Sequence, residues 1–213
     1  MGKNKILLFN PRSARSKHRI PNSILQLGAS LAGKFDYQFV DGNREADPWQ
    51  VILTYLQGGE YRYFGCTTMP ALQLKQAIPF SRMIRERFPD VRIIWGGYFA
   101  SNQYEAVLNS GYVDYVVAGP GDRAFPALIA ALEANQSVEG IANLIFRKDG
   151  KIVKTPTAPL EDQDALPPLP YLKLHQTYPL DGYLGNTFLG SKTAAYHSSV
   201  GCPFSCSFCA VVP

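Results

Sequence analysis

The 213-residue sequence predicts an α/β fold built on a doubly wound, five-stranded parallel sheet. Three observations predict it. Continuous apolar runs such as Ile6-Leu7-Leu8-Phe9 read as strands buried on both faces, as in a parallel sheet. Stretches with apolar residues at helical spacing alternate with these runs. The connections are short, and strand after strand stops on Asn, Asp, Thr or Gly. Five strands favour the flavodoxin-like order over a six-stranded dinucleotide fold.

Taken in order, the run from Ile6 to Phe9 ends at Asn10-Pro11, and a loop rich in Arg and Lys follows through Arg19. Pro21 and Asn22 open a helix carrying Ile24, Leu25, Leu27 and Leu31, closed near Gly33. Tyr37 to Val40 is the second strand, stopped by Asp41-Gly42-Asn43, and Trp49 to Leu56 is a helix ended by Gly58-Gly59. Tyr61 to Cys66 is the third strand, leading into Thr67-Thr68. A helical stretch from Ala71 to Phe88 contains Pro79, which is expected to kink or split it. Val91 to Trp95 is the fourth strand, before Gly96-Gly97. Gln103 to Leu108 is a short helix, Val113 to Val117 the fifth strand, and Pro126 sits in the first turn of a helix reaching Leu132.

This first unit ends near Gln136. Residues 137–192 read as a hairpin turning on Asp149-Gly150 and a connector with Pro156, Pro159, Pro167, Pro168 and Pro170, extended and semi-rigid. Leu172 to Gly190 is irregular and aromatic. Residues 193–213 begin with a strand, Thr193 to Ser199, that delivers the terminal cysteines.

Composition narrows the classes of function. A net charge of +4 without a basic run gives no reason to expect nucleic acid, and no apolar run is long enough to span a bilayer. Met1 to Lys5 passes straight into a strand without the length or cleavage site of a signal peptide, so a cytoplasmic protein is expected. Four cysteines, three of them clustered, argue against an oxidised secreted framework.

Those three, Cys202, Cys206 and Cys209, form C-x-x-x-C-x-x-C on one loop. Three thiolates are one short of a closed tetrahedral zinc site. They suit a 4Fe-4S cluster in which one iron stays open to another ligand. A zinc knuckle completed by a distant residue such as His197, or a disulfide with a spare thiol, would use the same residues.

The stretch Gly201 to Pro213, with Phe208 before the third cysteine, resembles the signature of the radical S-adenosylmethionine (SAM) enzymes. The resemblance implies that Cys202, Cys206 and Cys209 hold a 4Fe-4S cluster, that SAM chelates the open iron and is cleaved to a 5′-deoxyadenosyl radical, and that Phe208 packs near cluster and adenine. It also implies a reductant such as flavodoxin or ferredoxin, and a small-molecule substrate. Because barrels of parallel βα units take roughly 200 residues or more, the chain is expected to be the front part of a larger enzyme, inactive as a fragment.

Ligands of open α/β sheets lie outside the carboxyl ends of the strands. Here those ends carry Thr67, Thr68, Gly96, Gly97 and Gly119-Pro120-Gly121-Asp122, and glycine there lets a ligand approach the backbone. With the proline-rich connector and the cysteine motif, this unit resembles the cobalamin-binding domain ahead of the barrel in cobalamin-dependent radical SAM enzymes. The resemblance implies that the cobalamin tail enters between the third and fourth strand ends beside Thr67, Thr68 and Gly97, with Gly119 and Gly121 on the far side. The loop Asn10 to His18 departs from the D-x-H-x-x-G pattern of related cobalamin domains, so cobalt is expected without a protein histidine ligand. Methylation of an unactivated carbon is the implied outcome. The alternative is a non-catalytic corrinoid- or nucleotide-binding module with an unmetallated cysteine tail. Plainer readings stand beside each residue: tight turns for the glycines, a small buried side chain for Cys66, and a solvated loop for Arg12, Arg15, Lys17 and Arg19.

Overall fold

Strand β1 (Lys5–Asn10) lies inside the sheet, with Ile6, Leu7, Leu8 and Phe9 all at zero exposure in the computed structural model. The structure describes residues 4–15, 19–159, 162–195 and 206–207. β1 pairs in parallel with β2 (Tyr37–Asp41) on one side and β3 (Tyr61–Thr67) on the other, setting Leu8 opposite both Phe39 and Gly65. β4 (Arg92–Gly96) and β5 (Tyr115–Val117) continue the parallel run. The parallel part therefore has the expected order 2-1-3-4-5.

The strand count differs from the expectation. The Asp149-Gly150 hairpin, β6 (Leu144–Lys148) and β7 (Lys151–Lys154), pairs antiparallel onto β5, and among the described residues the sheet has seven strands. The reason lies in Leu144, Ile145 and Phe146. All three are buried, two of them in one core layer and Ile145 in the other, so the hairpin needs a sheet edge to cover it.

Helices cover both faces. α1 (Asn22–Leu31) and α6 (Ala124–Glu133) pack over Ile6, Leu8, Tyr63 and Ile94. α2 (Pro48–Gln57), α3 (Leu74–Arg87) and α5 (Tyr104–Asn109) pack over Leu7, Phe9, Phe64 and Trp95. Asp47 caps α2, accepting from Gln50 N at 3.1 Å, with Pro48 in the first turn. α3 runs unbroken through Pro79. Pro79 and Lys75, whose carbonyl loses its helical partner, are both on the exposed side, where water takes the carbonyl. α4 (Gly97–Asn102) precedes α5 and had no counterpart in the sequence reading.

β7 runs in the same direction as β1–β5, so the chain leaves it at the carboxyl edge of the sheet. Thr155 N donates to Leu144 O and Asn143 N to Pro156 O, which starts the connector alongside β6. The connector then crosses the strand ends and α7 (Tyr171–Thr177) reaches the opposite edge, at β2. There Lys173 Nζ sits 3.9 Å from the Tyr37 ring centroid, and Asp41 N donates to Tyr178 Oη at 3.2 Å. The segment expected to be irregular thus contains a docked helix. The strand expected over Thr193 to Ser199 lies mostly outside the described residues. Before it, β9 (Gly190–Thr193) pairs antiparallel with β8 (Gly185–Thr187) in a separate two-stranded ladder. No helix of the described residues is long and apolar enough to cross a membrane.

Candidate functional site

A cleft of about 740 Å³ opens at the carboxyl ends of β3, β4 and β5. Its walls come from Gly65 and Thr67 of β3, Ile94 and Gly96 of β4, Val117 and the loop Gly119 to Asp122, the start of α1, and the connector residues Leu166 to Leu169. The size suits a nucleotide-sized group, and the place is where open α/β sheets hold ligands.

The floor is at Gly65. A Cβ there would meet Leu8 Cδ2 and the Phe125 ring at 3.0 Å, so any side chain would crowd the α1/α6 side of the sheet where the cleft lies. Sequence reasoning missed Gly65. The signal was present: a lone glycine inside an aromatic strand marks a close approach.

Gly97 is the corner. Its φ is +86°, and a Cβ would meet Thr68 N and Thr68 O at 2.9 Å and Thr67 Oγ1 at 3.0 Å. Thr68 N and Oγ1 both donate to Gly96 O, at 2.8 and 2.9 Å, and Phe99 N donates to Thr68 O. These bonds stitch the β3 loop to the β4 loop. Thr67, Gly96, Gly97, Gly119 and Gly121 therefore line the cleft, while Thr68 does not: it is fully buried, and its hydroxyl is spent on Gly96 O. Gly121 faces α1, where its Cβ would meet Leu27 Cδ2 at 2.8 Å.

Among the described residues, the charged ones in the cleft wall are Asp122 and Asp164, with no Lys or Arg. Two polar atoms at the start of α1, Asn22 Oδ1 and Gln26 Nε2, are buried without a hydrogen-bond partner. Cys66 reaches the edge of the cleft, but it packs in the opposite core layer with Phe9 and Trp95. Burial pushes its thiol well above the ordinary value of 9.0.

The loop after β1 is tied to the β2 loop rather than presented to the cleft. Ser13 N and Ala14 N donate to Asn43 Oδ1, Arg12 Nε donates to Gly42 O, and Arg12 N to Gln76 Oε1. Arg12 is thus a structural tie, and His18 and Lys17 lie outside the described residues. His175 accepts from Leu180 N at 3.2 Å and is not in the cleft wall. Of the cysteine motif, Cys206 is described and exposed with a free thiol. Cys202, Cys209, Phe208 and His197 lie outside the described residues.

No family model matches the chain. Among curated proteins, it is 30% identical over 128 residues to the anaerobic magnesium-protoporphyrin IX monomethyl ester cyclase of Synechocystis, which covers 59% of this chain and 24% of that one. It is 24% identical over 213 residues to an uncharacterized methyltransferase of Pyrococcus horikoshii, covering 96% of this chain and 45% of that one. Among solved structures, the cobalamin-dependent SAM radical enzyme OxsB, with aqua-cobalamin and SAM bound, superposes with a TM-score of 0.71 at 15% identity, over 80% of this chain and 24% of that chain. The radical SAM methyltransferase TsrM of Kitasatospora setae, with tryptophan substrate and a SAM analog bound, superposes with a TM-score of 0.63 at 21% identity, over 73% of this chain and 30% of that chain. This chain spans between about a quarter and under half the length of those curated relatives.

Proposed function

We propose that this chain is the cofactor-holding front part of a cobalamin-dependent radical SAM enzyme, with a corrinoid in the cleft and a 4Fe-4S cluster on Cys202, Cys206 and Cys209. The observation that carries the reading is the cleft itself: a glycine floor at Gly65, a glycine corner at Gly97, and a wall of connector residues over the β3–β5 ends. Several features fit the group. At Gly65 and Gly97 a Cβ would press on Leu8, Phe125 and Thr68, so glycine keeps the strand ends under the cleft in place. Among the described residues the wall carries two aspartates and no Lys or Arg, which weighs against a polyphosphate nucleotide.

Within that reading, Thr67, Gly96 and Gly97 hold one side of the cofactor and Gly119 and Gly121 the other, while Thr68 fixes the corner from behind. Cobalt takes no histidine from the β1 loop in this reading, because the sequence from Asn10 to His18 departs from the D-x-H-x-x-G pattern. Phe208 packs beside the cluster. When bound, the cluster and SAM supply a carbon radical and the corrinoid a methyl group; the protein supplies position and exclusion of water. The reaction is methylation of an unactivated carbon of a small-molecule substrate, driven by a flavodoxin- or ferredoxin-type reductant.

The test is anaerobic reconstitution with iron and sulfide. A brown protein whose iron is lost in Cys206→Ala supports the cluster. A protein that stays colourless supports the second reading, a corrinoid-binding module with an unmetallated tail, and zinc retained without iron uptake supports a zinc knuckle.

A further inference from the structure

We propose that Ser101 is a positioning residue for the cleft: its hydroxyl holds the Gly119 wall at a fixed distance from the Gly97 wall and so sets the width that a ligand meets. The proposal rests on the corrinoid reading and adds to it a residue that supports the site from behind.

Ser101 is on α4, the short helix that starts at Gly97, and it stands outside the set of residues that line the cleft. A hydroxyl carries one proton and two lone pairs. Ser101 Oγ donates its proton to Gly97 O at 2.9 Å and accepts from Gly119 N at 3.0 Å. One atom therefore bridges the loop after β4 and the loop after β5. Thr68 Oγ1 makes the matching bridge from the β3 loop to Gly96 O, and Phe99 N, on the same helix as Ser101, donates to Thr68 O at 2.9 Å. The three strand ends at the cleft are thus joined in one hydrogen-bonded row.

The Gly119 wall depends on that row. Its chain is anchored on either side, where Ala118 N donates to Asn143 O and Phe125 N to Gly121 O. Gly119 itself is exposed at φ +72°, and among the described residues no atom lies within 4 Å of where its Cβ would be. On that side the turn has no packing to hold it, so its place is fixed by the bond to Ser101. Alanine would suit a helix slightly better than serine at position 101, but it offers neither the proton nor the lone pair.

The experiment compares wild type, Ser101→Ala and Ser101→Thr as full chains. Hydrogen exchange of the Gly119 amide, followed by nitrogen-15 NMR without ligand, reads the wall; a visible-spectrum titration with aquocobalamin reads the site. In Ser101→Ala the Gly119 amide should exchange about fivefold or more faster, and aquocobalamin should bind about five- to tenfold more weakly, as loss of one hydrogen bond implies. Ser101→Thr keeps the hydroxyl and should return both values to within about twofold of wild type. Urea midpoints should stay close to wild type in both variants, because the exposed Gly119 N–H passes to water. Equal aquocobalamin affinity in wild type and Ser101→Ala, or Gly119 exchange unchanged by loss of the hydroxyl, overturns the role of Ser101 and leaves the corrinoid reading standing. A folded wild type that takes up no corrinoid overturns that reading instead, and Gly119 exchange then still decides whether Ser101 holds the wall.

Discussion

Tyr183 Oη donates to Asp41 Oδ2 at 2.8 Å, joining residues 142 positions apart at the far edge of the sheet from the hairpin. Asp41 is fully buried and also accepts from Asn10 Nδ2, Asn43 N and Asn43 Nδ2 at 2.9–3.0 Å. Tyr178 adds a second tie, accepting from Asp41 N and donating to Glu45 Oε1 at 2.7 Å. The Arg44 guanidinium lies 5.3 Å from the Tyr183 ring and donates to Gly182 O. Together they latch the chain that has just crossed the cleft. Tyr183→Phe should cost about 1.5–3 kcal/mol, the range for a hydrogen bond to a charged group. Asp41→Ala, which strands several buried donors, should cost about 3–5 kcal/mol. Urea unfolding measures both, and limited proteolysis between residues 155 and 171 should quicken in each variant.

The same tyrosines set an alkaline limit on stability. Burial first, and then Asp41 and Glu45, push the Tyr183 and Tyr178 hydroxyls far above the ordinary tyrosine value of 10.0. A folded-state pKa raised in this way contributes stability that is fully present below pH 10. It is lost as pH rises further, because the unfolded chain releases its protons first. Each such tyrosine steepens the loss by up to about 1.4 kcal/mol per pH unit. Unfolding midpoints measured from pH 8 to 11 should be flat and then fall, and Tyr178→Phe/Tyr183→Phe should flatten the fall while lowering the plateau.

Much of the sheet was legible because its strands are buried on both faces. Runs such as Ile6 to Phe9 and Ile93 to Trp95 have no other economical reading. Gly97 was legible for a similar reason, as a glycine pair after a strand announces a corner. The seven-strand count was not, since nothing in Leu144 to Phe146 says which edge the hairpin will join. The path of the connector was equally hidden: prolines specify stiffness, not direction. Thr68 shows the limit most plainly. Its neighbour Thr67 lines the cleft while Thr68 turns inward to Gly96, and one position separates the two roles.

The two described cysteines should react very differently. Cys66 is fully buried with its thiol pushed well up by desolvation, whereas Cys206 is exposed. With the protein free of metal and reduced, iodoacetamide at pH 8 should alkylate Cys206 within minutes. Cys66 should react only after denaturant is added, as peptide mass mapping would show.

Gly97→Ala tests the corner without touching the core. At φ +86°, with Thr68 backbone atoms 2.9 Å from the new Cβ, the substitution should cost about 1–3 kcal/mol. It should also displace Thr67 and weaken corrinoid binding. A variant with unchanged urea midpoint would mean that the turn relaxes freely.

The central claim is that the Gly65-floored cleft binds a corrinoid, and a titration of aquocobalamin into wild type and Gly65→Ala tests it most directly. The account predicts saturable binding at one per chain in wild type, with a spectrum showing no histidine on cobalt, and binding weakened about tenfold or more in the variant. No saturable binding to the folded wild-type chain, or equal binding by the two proteins, would contradict it.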